Sequence, residues 1–181
     1  MPENESRFRD FASRLLAKIY GNLEHERIYS HLFKKDIALE PVSVDAFGLH
    51  YLGACLALGA EAWFKACLEN GVRDPVIRKI FLKAVTDSFQ SPKFLSIAAA
   101  FSEALHCEDL IKEESPAISL ARHVCRKWGL KSARRAGTGK EECLVDFFRN
   151  LVEIFEGFRC QIENEIFEFM ANARFGPEGQ D

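Results

Sequence analysis

The sequence predicts an all-α protein, a single-domain bundle or orthogonal array of about seven helices around a buried central one. Three observations lead there. Apolar residues recur at spacings of three and four almost throughout, and no run alternates as a strand would. Residues 46–60 read AFGLHYLGACLALGA, and nothing between Asp45 and Glu61 carries a fixed charge. A solvent-facing helix needs a polar side, so this one should be the buried axis. Finally, Asp74-Pro75, Ser91-Pro92 and Ser115-Pro116 each place a capping residue before a proline, the local signal for a helix start.

The elements follow in order. Phe8, Phe11, Leu15, Leu16 and Ile19 share one helical face, ended or bent by Gly21. A short helix holds Ile28, Leu32 and Phe33, and a loop follows through Pro41. Ser43 or Asp45 caps the central helix, expected over about 44–70 and stopped by Gly71. Asp74 opens a helix with Ile77, Ile80, Phe81 and Val85 inward. Ser91 opens another, containing LSIAAAFSEAL, and Ser115 opens a third that stops at Gly129. A loop of small and basic residues spans 131–140, and a long last helix runs from about Glu141 to Ala173. Residues 1–4 and 174–181 are expected to be solvated tails of the one domain, 1–181.

Composition bounds the function. The chain has 181 residues, 48% hydrophobic and 28% charged, enough for one self-sufficient core. Sixteen Phe against three Tyr and two Trp add apolar mass without polar handles. A net charge of −3 speaks against a whole-protein nucleic-acid footprint. Six scattered cysteines with no C-x-x-C pair read as reduced thiols in a cytoplasmic protein. The polar start MPENESRFRD lacks the basic-then-apolar order of a signal peptide. The 46–60 run is shorter than the roughly 20 residues a transmembrane helix takes, so no membrane span is expected.

The best candidate surface is basic. No acidic residue lies between Glu114 and Glu141, whereas Arg122, Arg126, Lys127, Lys131, Arg134, Arg135 and Lys140 all do. Arg122 and Arg126 stand one helical turn apart, where like charges repel. An acidic partner, a phosphate or an anionic surface would relieve them. The plain alternative is a solvated face balanced by Glu141, Glu142, Asp146, Glu153 and Glu156 of the last helix. Gly137-Thr138-Gly139-Lys140 is not a phosphate loop. Arg134 stands where the pattern needs its first glycine, and Glu141 where it needs Ser or Thr.

A second candidate is a pocket at His50, His106 and Cys107. His50 lies inside the apolar helix, so it should be largely buried, either hydrogen-bonded in the core or poised as a ligand. The run AAFSEALHCEDL resembles the proximal-histidine helix of globins, where a Leu-His pair is followed by Leu four residues after the His. Here these are Leu105, His106 and Leu110. The resemblance covers twelve residues, and the helices before it depart from the globin order. What it implies is haem ligation by His106. Otherwise no cofactor and no metal are expected. His25 and His31 lie about 240° apart on a helix and are poor co-ligands. Cys143 heads a helix beside the basic loop, which lowers a thiol pKa, and Glu141 and Glu142 oppose this. No catalytic constellation can be assembled by spacing.

The third candidate is an interface. The last helix carries a heptad-like seam ending in Phe158, Ile162, Ile166, Phe169 and Met170. It is long for a domain of this size, so the end of the seam should pair with a second copy in a homodimer. The functional expectation is a non-enzymatic helical interaction module (a regulator, adaptor or assembly factor) with an acidic or anionic protein partner. The alternative is a helical domain that binds a small molecule or cofactor, haem included, near His50 or His106.

Overall fold

The computed structural model describes residues 2–21, 25–33, 43–107, 115–129 and 140–174. They form eight helices, and among the described residues there is no strand. In order these are α1 (Pro2–Gly21), α2 (His25–Phe33), α3 (Val44–Glu69), α4 (Pro75–Ser88), α5 (Pro92–Leu95), α6 (Ile97–Leu105), α7 (Pro116–Lys127) and α8 (Lys140–Arg174). The fold is the helical bundle that the periodicity predicts, with its long C-terminal helix.

Two boundaries differ from the sequence reading. α1 opens at Pro2, a proline in the first turn, so residues 2–4 belong to the helix. The helix expected from Ser91 breaks at Ser96 into the single turn α5 and the buried α6. Residues 175–181 lie outside the described part.

All three proline-marked starts open helices, each by its own means. Asp74 Oδ1 accepts from the Val76 N–H at 2.8 Å. Ser91 makes no such cap, and the Ser115 hydroxyl donates instead to the Glu156 carboxylate of α8. It ties the start of α7 to α8. α3 begins at Ser43, whose hydroxyl accepts from Ala46 N–H at 3.2 Å. It ends in a paired closure: Val72 N–H to Cys67 C=O at 2.9 Å and Gly71 N–H to Leu68 C=O at 3.0 Å. Gly71 takes φ 67°, the left-handed conformation that this closure needs and that glycine adopts without steric cost.

α3 is the axis. Thirteen of its residues are buried, from Phe47 to Cys67. By length and composition the whole helix, unlike the 46–60 run alone, could cross a membrane, yet 67% of its most apolar window is covered by its own chain. Small residues set how close its neighbours come. A Cβ on Gly53 would stand 2.7 Å from the Ala100 carbonyl carbon and 2.8 Å from Phe101 N, so the α3 and α6 backbones touch there. At Gly59 a Cβ would meet Ile19 of α1 and Phe81 of α4, each at 3.0 Å.

α8 runs alongside α3 in the same direction. Near its start Phe147 meets Phe33 and Trp128, with ring centres 5.2 and 6.2 Å apart. Phe155 stacks on Tyr51 at 5.5 Å, and Lys65 pairs with Glu163 at 3.4 Å. Phe169 stacks on Phe11 at 4.0 Å and meets Phe8 edge-on at 5.0 Å. Lys18 of α1 pairs with Glu165. The seam proposed for a second copy is thus covered by its own chain. Ile162 and Met170 are 2% exposed and Ile166 0%, while Phe158 and Phe169 pack half-buried against the core. The sequence places the helix α1 but not its packing on the far end of α8, which accommodates the length of α8.

Candidate functional site

At the end of the bundle where α3 begins, α3, α6 and α7 bring together groups that are far apart in sequence. Phe47 of α3 stacks on Trp128 at 4.9 Å, and Tyr29 and Phe33 of α2 pack edge-on against it. This aromatic wall fixes the end of α7. The Trp128 indole N–H donates to His50 Nδ1 at 3.3 Å. The same nitrogen lies 2.9 Å from the Ala46 carbonyl, so the two contacts are alternatives. Nδ1 accepts from the indole in one tautomer and donates to the carbonyl in the other. His50 is half-buried rather than enclosed as the apolar run predicts, because it sits on the first two turns, before the axis is fully covered.

On α7, Arg122, Arg126 and Lys127 are exposed and His123 is half-buried between them. Lys127 Nζ pairs with Glu103 Oε2 of α6 at 2.8 Å. Arg126 reaches the Cys107 sulfur at 3.9 Å, which joins the His106–Cys107 corner to the basic face. Asp146 pairs with Arg149, and Glu156 pairs with Arg159 and Ser115. Arg126 and Lys127 also lie in the last turn of α7, where the helix dipole favours positive charge. That offsets part of the repulsion between Arg122 and Arg126.

The electrostatics are coupled. The Lys127 hydrogen bond holds the Glu103 carboxyl below the ordinary range, helped by the charges of Lys127, His123 and His50. Burial lowers the His123 pKa, and Lys127, Arg126 and His50 lower it further against the opposing Glu103. A histidine depressed in the folded state takes up its proton more readily when unfolded. Its contribution to stability is therefore present above about pH 6.5 and lost as pH falls through the lower folded value. His123→Gln should flatten the fall in thermal midpoint between pH 7 and 5. Glu103 acts in a separate, more acidic window, where its stabilising pair with Lys127 is lost.

The remaining sites are dispersed. His106 is exposed at the end of α6, its Nδ1 2.7 Å from the Ser102 carbonyl, while Cys107 is buried. His106 and Cys107 therefore face different surroundings, and the globin-like run ends outside the described residues at Leu110. Among the described residues no group of three or more His, Cys, Asp or Glu could hold a metal ion. Lys131, Arg134 and Arg135 lie outside the described residues, as do the side chains of Lys140, His25 and Cys143. His31 is exposed on α2. Glu103 and His123 were missed by the sequence reading. His123 was legible as the one residue of type His among the α7 cations, but Glu103 joins only through the α6–α7 packing.

The five described cysteines are free thiols. Burial pushes Cys55 and Cys125 up to about 12 and Cys67 up to about 11. Native alkylation at pH 8 followed by peptide mass analysis should label exposed Cys160 and spare these three.

No protein-family model, curated protein or solved structure matches the chain.

Proposed function

We propose that the protein is a non-enzymatic interaction module that holds an acidic protein partner against the exposed face of α7. The observation that carries this reading is the convergence of Arg122, Arg126 and Lys127 on one face of α7, with His123 and His50 behind them. The sequence extends the same charge through Lys131, Arg134, Arg135 and Lys140. The aromatic wall of Phe47 and Trp128 gives the face a rigid backing, so little ordering is required on binding. Free thiols support a reducing compartment such as the cytoplasm.

Charge attraction across such a surface steers encounter and weakens with salt, since exposed charges are screened beyond about 8 Å at physiological ionic strength. Immobilised polyglutamate serves as an acidic probe. The Arg122→Glu/Arg126→Glu protein should elute at clearly lower salt than the unmodified one and keep the far-UV circular dichroism of the folded protein, because both side chains are exposed. Retention should also rise as pH falls from 7 to 5.5, because a bound anion favours protonated His123. Identical elution of the two proteins would remove the basis for this reading.

A further inference from the structure

A second feature lies away from the basic face. A cleft of about 340 Å³ opens between the outer side of α3, the middle of α4 and the end of α6. Ala57 and Ala60 form its floor; their small side chains create the space. Phe64, Leu82 and Leu105 wall it. Phe64 is 51% exposed and Leu82 37%, so the walls of the cleft leave apolar surface that a ligand would cover.

The cleft carries three charged side chains, Glu61, Arg78 and Lys79. Arg78 is held in place: its Nε–H donates to the Val72 carbonyl at 2.6 Å, beyond the end of α3. That bond uses one of five N–H groups and fixes the plane of the guanidinium, whose fork suits a carboxylate. Lys79, next in sequence, is exposed. Glu61 is the opposing charge, but it is poorly placed to act as one. Its Oε2 is buried and accepts no hydrogen bond among the described residues. Burial raises its pKa, so it gives up its charge more easily than an ordinary glutamate. The cleft is therefore apolar within and net positive at its edge.

We propose that this cleft binds an amphiphilic carboxylate, an aliphatic acid whose chain lies on Ala57, Ala60, Phe64, Leu82 and Leu105 and whose head pairs with Arg78. At roughly 30 Å³ for each water-sized atom, the space takes about eleven heavy atoms. Octanoate, with eight carbons and two oxygens, is the matching probe. A cationic amphiphile meets Arg78 and Lys79 as like charges, and a neutral alcohol gains only the apolar contact.

Titration calorimetry with octanoate, 1-octanol and octylamine tests this on the full chain. Octanoate should bind at least about tenfold more tightly than the other two, the size expected of a charge-assisted hydrogen bond. Arg78→Gln should abolish that preference and leave octanol affinity within about twofold. Ala60→Phe, which fills the floor, should weaken all three ligands about tenfold. Should Arg78→Gln not fold, Glu61→Gln decides the matter. Measured at pH 8, where Glu61 is ionised most fully, it removes the opposing charge and should tighten octanoate at least about twofold without changing octanol. Octanol or octylamine binding as well as octanoate would overturn the proposal. So would a preference that survives Arg78→Gln, an octanoate affinity indifferent to Glu61→Gln, or no heat and no rise in thermal midpoint at millimolar octanoate.

Discussion

Replacing Ile162 and Ile166 together by glutamate should unfold the protein. Both side chains are buried by their own chain, at 2% and 0% exposure. Losing a buried isoleucine costs about 2–5 kcal/mol in transfer and cavity terms. Each new carboxylate adds a desolvation cost of several kcal/mol, with no partner designed to meet it. Two such changes total about 8 kcal/mol or more, against a stability of about 5–15 kcal/mol for a whole domain. Far-UV circular dichroism should show loss of helix or a strongly lowered thermal midpoint. A soluble, fully folded monomer is what the sequence reading alone would expect of this variant. That outcome would restore the seam as an outward surface.

Gly53→Ala should destabilise the protein. The added Cβ would sit 2.7 Å from the Ala100 carbonyl carbon and 2.9 Å from its oxygen. Those are backbone atoms, which cannot turn aside as a side chain can, so α3 and α6 must separate. Helix propensity alone favours alanine by about 1 kcal/mol. Overpacking costs of about 1–3 kcal/mol, and more against backbone, outweigh it. We expect a net loss of about 2–3 kcal/mol, or roughly 5–10 °C in thermal midpoint for a domain of this size. Gly157→Ala is the control. On exposed α8 a Cβ there meets nothing within 4 Å, so propensity acts alone. It should raise the midpoint by about 2–3 °C. If the two variants behave alike, the close crossing at Gly53 is not real.

The fold was legible wherever one helix carries its own signal. The uncharged stretch from Ala46 to Ala60 marks the axis because burial tolerates no fixed charge there. Asp74, Gly71 and Gly129 mark helix ends because local backbone geometry demands those residue types; both glycines take φ 67°. What stayed hidden depends on which helices touch. The stripe Phe158 to Met170 looks the same in sequence whether a second copy or α1 covers it. The packing of Phe169 on Phe11 and Phe8, and the pairing of Lys18 with Glu165, separate the two. Likewise, Lys127 belongs visibly to a basic run, but its partner Glu103 lies on α6 and is brought in by packing. The cleft beside Phe64 had no sequence signature at all. Ala57 and Ala60 read as ordinary core residues, and their smallness matters only where α4 and α6 leave a gap.

The structure implies one self-contained core in which α8 covers α3 and α1 covers the far end of α8. Hydrogen exchange of the α8 backbone amides from Arg159 to Met170, followed across a hundredfold range of protein concentration, tests this most directly. Protection in that stretch should match that of Leu52 to Ala62 in α3 and be independent of concentration, since global unfolding exposes both. Protection that is weak in dilute protein and grows with concentration, while α3 stays constant, would show that the end of α8 is covered by another molecule and would contradict the packing described here.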